Sequence, residues 1–242
     1  MKSPKLRIIA GPNGSGKSTL IEELRDKFKF GHYLNADDIE KGLKEKGSFD
    51  FTRFKVKVTQ KELEKFTVTS GLYTKISDDF TFKVTGNMFL CDPRKVNSYT
   101  SLIIVEFLRG LFIKTKQSFS FETVMSDERK IKLMEDANKK GFRIYFYFIC
   151  TNSPQLNVAR VAQRVKLGGH PVDEGKIVSR YHKSLTNLLP AIKLSNRGYI
   201  FDNSSTEYEI LAETIDSKSL RLKNKIIPSW FFENVIQKLS KN

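Results

Sequence analysis

The sequence predicts an α/β fold, a doubly wound parallel sheet, and three observations carry that prediction. Short apolar runs at residues 6–10, 32–34, 118–121, 142–150 and 198–202 alternate with segments of helical period. The first run leads at once into a glycine-rich turn and then into residues 20–29, where Leu20, Ile21, Leu24 and Phe28 recur at helical spacing. The run 142–150, Phe-Arg-Ile-Tyr-Phe-Tyr-Phe-Ile-Cys, is almost continuously apolar, as in a strand buried on both faces. Residues 47–97 break this rhythm and read as a β-rich insertion. The expected organisation is therefore a core of residues 1–46 and 98–214, the insertion 47–97, and a basic tail 215–242 that ends in a helix.

The turn after the first strand has the spacing Gly11-x-x-x-x-Gly16-Lys17-Ser18, a Walker A phosphate-binding loop set between a strand and a helix. Each residue type has a physical reason. Glycines at 11, 14 and 16 let the backbone pass close to an anion, with successive N–H groups turned toward it. A helix beginning near Lys17 adds its positive end. Lys17 is placed to reach the β- and γ-phosphates and the Ser18 hydroxyl to ligate Mg²⁺. Gly11, Pro12, Asn13, Gly14, Ser15, Gly16, Lys17, Ser18 and Thr19 are thus the candidate nucleoside triphosphate site. The alternative is a glycine-rich turn that binds nothing.

Composition bounds the rest. The chain has 242 residues, enough for one medium domain with an insertion, and 39% are hydrophobic, enough for a core. No apolar run approaches the roughly 20 residues that span a bilayer, so no membrane segment is expected. Residues 1–5 carry no apolar signal segment, and the expectation is a cytoplasmic protein. Cys91 and Cys150 do not make a disulfide framework. Three histidines without a Cys/His cluster give no reason to expect structural zinc. The net charge of +15 favours acidic partners, namely nucleotides, sugar nucleotides, nucleic acid or an acidic regulatory protein; otherwise it is a solvated lysine-rich surface.

Taken in order, the second strand ends at Asn35-Ala36-Asp37-Asp38, the ligand-binding edge of a parallel sheet. Asp37 is a candidate base, and Asp38 is equally an N-cap for a helix at 39–46. In the insertion, 49–58 alternates apolar and polar, and 72–76, 80–84 and 87–90 add further short runs. An antiparallel sheet or hairpin is expected, with 59–65 as a short helix. Its interleaved Lys and Phe read as the two faces of that sheet or as an RNA surface. A helix follows over 98–116. The strand after it ends in Glu122-Thr123, placing a second acid at the sheet edge. Residues 127–140 form an amphipathic helix closed by Gly141. Ser153-Pro154 opens a helix that carries Arg160 and Arg164 on one face; Gly168-Gly169-His170-Pro171 makes a turn, and a helix over 173–189 bears Arg180. These arginines suit a lid over phosphates, or they are solvated and paired with acids nearby. After the last strand, 206–214 reads first as a helix and second as a strand.

Several of these pieces resemble one family, the zeta-toxin-like P-loop kinases, in particular small bacterial members similar to UDP-N-acetylglucosamine kinases. They are residues 11–19, Leu34-Asn-Ala-Asp37-Asp-Ile39, Phe119-Ser-Phe-Glu-Thr123, the run from Arg160 to His170, the run 177–188 and Phe201-Asp-Asn-Ser204. The resemblance covers 6–45 and 98–205 and leaves out the insertion and the tail. It implies ATP and Mg²⁺ as cofactors and phosphorylation of a hydroxyl on a small, anionic acceptor, a sugar nucleotide in the toxin branch. The catalytic aspartate falls on Asp37. Glu122, with Thr123, falls on the substrate side, Arg160 and Arg164 in the arginine-bearing helix, and Arg180 in the helix after it. It also implies an acidic antitoxin-like partner. Two rival expectations remain open: an RNA or polynucleotide kinase, and a non-catalytic nucleotide-dependent interaction module.

Overall fold

The computed structural model describes residues 3–76, 78–216 and 219–240. The chain folds as two compact units, Met1–Gly31 with Ser118–Asn242, and His32–Gln117. The expected divisions lay at 46/47 and 97/98. The flanking elements of the second unit join it because they pack on one another there.

The first unit opens with β1 (Lys5–Ala10) and α1 (Lys17–Lys27). Leu6, Ile8, Ile9 and Ala10 are fully buried, which is why this short run is a central strand and not a turn.

The second unit begins with β2 (His32–Leu34), α2 (Ala36–Lys46), β3 (Ser48–Asp50) and α3 (Gln60–Thr69). It continues with β4 (Phe82–Thr85), β5 (Met88–Cys91) and α4 (Ser98–Thr115). Strands β3, β5 and β4 form a small antiparallel sheet in that order. The β4–β5 hairpin turns on Gly86 and Asn87, both at positive φ (56° and 66°), as a two-residue hairpin loop requires. Helix α4 is apolar on most sides. Ile104, Val105, Leu108 and Phe112 are 1% exposed or less, and α2 and α3 both pack on it. His32 stacks on Phe112 at 4.9 Å and meets Phe54 edge-on, while its Nε2 is 2.8 Å from Gln117 Oε1.

The expected antiparallel sheet is thus present but smaller than expected. Only 48–50 of the alternating run is strand. Phe51 and Phe54 are both buried at a spacing of three, and Thr52–Phe54 turns as a 3-10 helix to achieve it. Val56 and Val58 are buried without a neighbouring strand, because the Asn87 side chain supplies the missing ladder. Its Oδ1 accepts from the Val58 N–H at 2.8 Å, and its Nδ2 donates to the Val56 carbonyl at 2.7 Å. Tyr73–Lys75 is likewise a 3-10 turn and not a strand. Helix α3 runs beyond the expected 59–65. Thr59 and Glu62 form a reciprocal capping box at its start. At α2 the cap is Asn35, whose side chain accepts from the Asp37 N–H, and not Asp38.

The first unit resumes with β6 (Phe119–Thr123), α5 (Arg129–Lys139), β7 (Arg143–Cys150) and α6 (Pro154–Lys166). Then come α7 (Glu174–Thr186), α8 (Leu188–Leu194), β8 (Arg197–Asp202), β9 (Glu209–Ile215) and β10 (Ser219–Leu222). The helix expected over 173–189 is therefore two, with Asn187 at the junction. In the sheet, β10, β9, β8, β7, β1 and β6 neighbour one another in that order. Strands β6, β1, β7 and β8 are mutually parallel, whereas β9 and β10 return antiparallel. Residues 209–215 are a strand, where 206–214 read first as a helix, because Ala212 and Thr214 are buried in register against β8, with Leu211 buried at a shift in the pairing. The tail contributes β10 and a terminal helical segment over 229–239, of which 232–236 is π-helical. Residues 217, 218, 241 and 242 lie outside the described residues. Trp230 anchors the segment; its indole N–H donates to Asp202 Oδ2 at 2.8 Å and its ring lies 6.1 Å from Phe148.

Asn87 yields a test of the second unit. Asn87→Gly keeps the positive φ but removes both side-chain bonds. Urea unfolding is expected to register a loss of about 1–3 kcal/mol. An unchanged midpoint would mean that the 56–58 segment is held by burial alone.

Candidate functional site

The turn between β1 and α1 is tied down by its own backbone. The Gly11 N–H donates to the Thr123 carbonyl at 3.2 Å, and the Ser15 N–H to the Pro12 carbonyl at 3.3 Å. Three glycines are required here, and at Gly14, with φ 75°, a Cβ would stand 2.6 Å from the Asn157 carbonyl oxygen. A Cβ on Gly11 would stand 2.0 Å from the Ile149 carbonyl oxygen, which cannot move without breaking β7. Gly16 has φ 94°, and its Cβ would meet Asn203 Nδ2 at 2.3 Å. Gly16 is also the N-cap of α1. It offers no side-chain cap, and the first turn of the helix has no acidic residue. The helix therefore starts with uncapped N–H groups and an unopposed dipole. Ser18 and Thr19 lie exposed on that first turn.

Lys17 is 8% exposed. Its ammonium donates to the Pro12 carbonyl at 2.9 Å and lies 3.9 Å from Glu122 Oε1. The parallel register places Glu122 there, with Ile9 opposite Glu122 and Ala10 opposite Thr123. A cation this buried has to be compensated. The Pro12 carbonyl and the Glu122 carboxylate contribute to that compensation. Thr123 Oγ1 accepts from the Met125 N–H at 3.3 Å. Buried Ser15 Oγ and Asn13 Oδ1 have no hydrogen-bond partner among the described residues. Orphaned polar atoms, an uncapped helix start and a buried lysine in one turn fit a phosphate ligand. Among the described residues no three His, Cys, Asp or Glu side chains gather as a metal site. A Mg²⁺ ion here would take Ser18 and phosphate oxygens as ligands.

The arginines have separate partners. Arg160, half-buried on α6, donates from Nη1 to the Asn203 carbonyl at 2.7 Å and from Nη2 to the Ser205 carbonyl at 3.2 Å. Arg164 is exposed, and its Nη2 donates to the His170 carbonyl at 2.9 Å. Arg180 is half-buried on α7. Asp37 belongs to the second unit, exposed in the first turn of α2.

Sequence reading missed the residues that brace the loop from behind. Asn203 Nδ2 donates to the Ser15 carbonyl at 2.9 Å, and its own N–H to the Cys150 carbonyl at 2.7 Å. Thr151 Oγ1 donates to buried Asn157 Oδ1 at 2.6 Å, and the Thr151 carbonyl accepts from Tyr181 OH at 2.7 Å. Burial raises the pKa of both Tyr181 and Cys150, so both stay neutral. The position of Asn203 just past a strand end was the available signal.

No protein-family model matches the chain. An uncharacterized protein of Haemophilus influenzae is 36% identical over 75 residues, covering 30% of this chain and 54% of the relative. This chain thus spans about half the length of the curated relative it matches. Two solved structures are similar over nearly the whole chain. One is the AvrRxo1-ORF1:-ORF2 complex with ATP, with TM-score 0.50, 15% identity, and coverage of 92% of this chain and 61% of that one. The other comes from the PezAT chromosomal toxin–antitoxin system of Streptococcus pneumoniae, with TM-score 0.51, 12% identity, and coverage of 95% and 76%. At these identities the likeness speaks for the fold, a mixed α/β architecture built on a mainly parallel central sheet.

Proposed function

We propose that the protein is an ATP-dependent phosphotransferase that moves the γ-phosphoryl group of ATP to a hydroxyl of a small, anionic acceptor. One observation carries the reading: a Walker A turn that buries Lys17 beside the Pro12 carbonyl and Glu122 at the uncapped start of α1. The ATP in the AvrRxo1 complex and the toxin–antitoxin context of PezAT support it by analogy. A sugar nucleotide as acceptor, and an acidic antitoxin-like protein as partner, rest on the resemblance of the motifs and on the charge of +15.

In this reading the backbone N–H groups of residues 13, 14 and 16–18 hold the phosphates, and Lys17 leaves the Pro12 carbonyl to neutralise β- and γ-phosphate charge. Ser18 would hold Mg²⁺, which when bound would further neutralise the phosphate oxygens. Asp37 takes the proton of the acceptor hydroxyl. That oxygen bonds to the γ-phosphorus as the bond to the β–γ bridging oxygen breaks, and ADP departs. Glu122 and Thr123 contact substrate at the strand edge, and Arg164 and Arg180 are the lid cations.

The test incubates the protein with γ-labelled ATP, Mg²⁺ and either UDP-sugars or short RNA, and follows the label. Label on a UDP-sugar is the expected result. Label on RNA would replace the acceptor class, and no transfer to any acceptor alongside intact ATP binding would leave an interaction module. Lys17→Ala is expected to abolish transfer and to weaken ATP binding at least about 10-fold, the loss of one strong charge-assisted contact. Asp37→Ala is expected to leave ATP affinity within about 2-fold while transfer falls about 10²-fold or more, the range of general-base loss. Transfer retained by Asp37→Ala would remove the base assignment.

A further inference from the structure

Arg160 has the sequence position of a phosphate-binding lid arginine, yet its guanidinium is committed elsewhere. Both terminal nitrogens donate to main-chain carbonyls of one turn, Asn203 at 2.7 Å and Ser205 at 3.2 Å. That turn is pinned from other sides as well. The Asn203 N–H donates to the Cys150 carbonyl, the Asn152 N–H to Ser204 Oγ at 2.8 Å, and the Ser204 N–H to Asp202 Oδ1 at 2.9 Å. Out of it projects the Asn203 side chain, which holds the carbonyl of fully buried Ser15.

The peptide between Ser15 and Gly16 is planar and trans, so its C=O and N–H point in opposite directions. Fixing the Ser15 carbonyl on Asn203 therefore aims the Gly16 N–H away from Asn203. Gly16 is where the phosphate-binding turn meets α1, and its N–H is one of the donors in the proposed site. The close approach of Asn203 Nδ2 to the Gly16 Cα is possible only because Gly16 has no Cβ. Gly16 and Asn203 thus form one device, and Arg160 holds that device still.

We propose that Arg160 is a positioning residue for nucleotide binding. It clamps the 203–205 turn, and Asn203 in turn presents the Gly16 N–H to a phosphate common to ATP and ADP. This rests on the nucleotide-site reading above and differs from a lid role, in which Arg160 would touch the γ-phosphate itself.

The two roles separate in the nucleotide they affect. MgATP and MgADP affinities would be measured by displacement of a fluorescent nucleotide from wild type, Arg160→Ala, Arg160→Lys, Asn203→Ala and the double Arg160→Ala/Asn203→Ala protein. A clamp predicts that Arg160→Ala weakens ATP and ADP by the same factor, about 10-fold for the loss of a charge-assisted pair of bonds. Asn203→Ala should match it, and the double variant should be no weaker than the worse single one, because both act through one chain of contacts. Arg160→Lys, able to reach one carbonyl, should recover part of the loss for both nucleotides. Thermal unfolding without nucleotide reports whether each variant is folded; Asn203→Ala keeps the test open if Arg160→Ala is not. Loss of ATP affinity with ADP spared, or multiplicative losses in the double variant, would overturn the clamp and restore the lid role. Failure of the wild type to bind either nucleotide would overturn the site reading instead.

Discussion

The parallel alignment of β8, β7, β1 and β6 is the constraint from which the candidate site follows. Parallel strands finish at the same edge of a sheet, so each strand end brings the residues after it to one place. The end of β1 supplies the Walker A turn. The end of β6 supplies Glu122 beside Lys17, the end of β7 supplies Thr151, and the end of β8 supplies Asn203 behind Ser15. Four segments remote in sequence therefore share one edge. Fully buried apolar residues along β1 and β7 stabilise that alignment, each worth about 1.5–3 kcal/mol of burial. Polar residues can collect at the edge because the strands behind them need none.

Asparagine recurs wherever this backbone leaves its regular ladders. Asn203 serves Ser15, Asn87 serves residues 56 and 58, Asn187 donates to the Met125 carbonyl, and Asn196 accepts from the Ile144 N–H. Asn138 donates to the Leu194 carbonyl at the end of α8. The reason is chemical. A short amide offers a carbonyl acceptor and N–H donors, the same kinds of group as a peptide with one donor more. Buried main-chain groups cannot be left unpaired, and an asparagine side chain completes them where no strand is available. At Asn203 this structural habit touches the candidate site, since the peptide it completes belongs to the Walker A turn.

Local chemistry was readable from the residues alone wherever it closes over a few positions. The Walker A spacing, the strand before it and the helix after it were legible, as were the buried run that became β7 and Pro154 at the start of α6. Legibility failed where burial overrode local pattern. Alternation over 49–58 suggested a long strand, but the chain buries Phe54 through a 3-10 turn and Val58 through Asn87. Residues 209–215, read first as a helix, became a strand because β8 offered an open edge. Asp38 looked like a cap until Asn35 took that place.

The sequence by itself determined the α/β class, the Walker A turn and the residue types available to it. Periodicity, glycine spacing and capping act between near neighbours and leave their mark in composition. Only the tertiary structure decided which groups those residues face. The bond from Asn203 to Ser15 spans 188 residues and that from Arg160 to Asn203 spans 43. No local pattern encodes a contact of that length, because it depends on strand order and register, which are settled by the burial of the whole sheet.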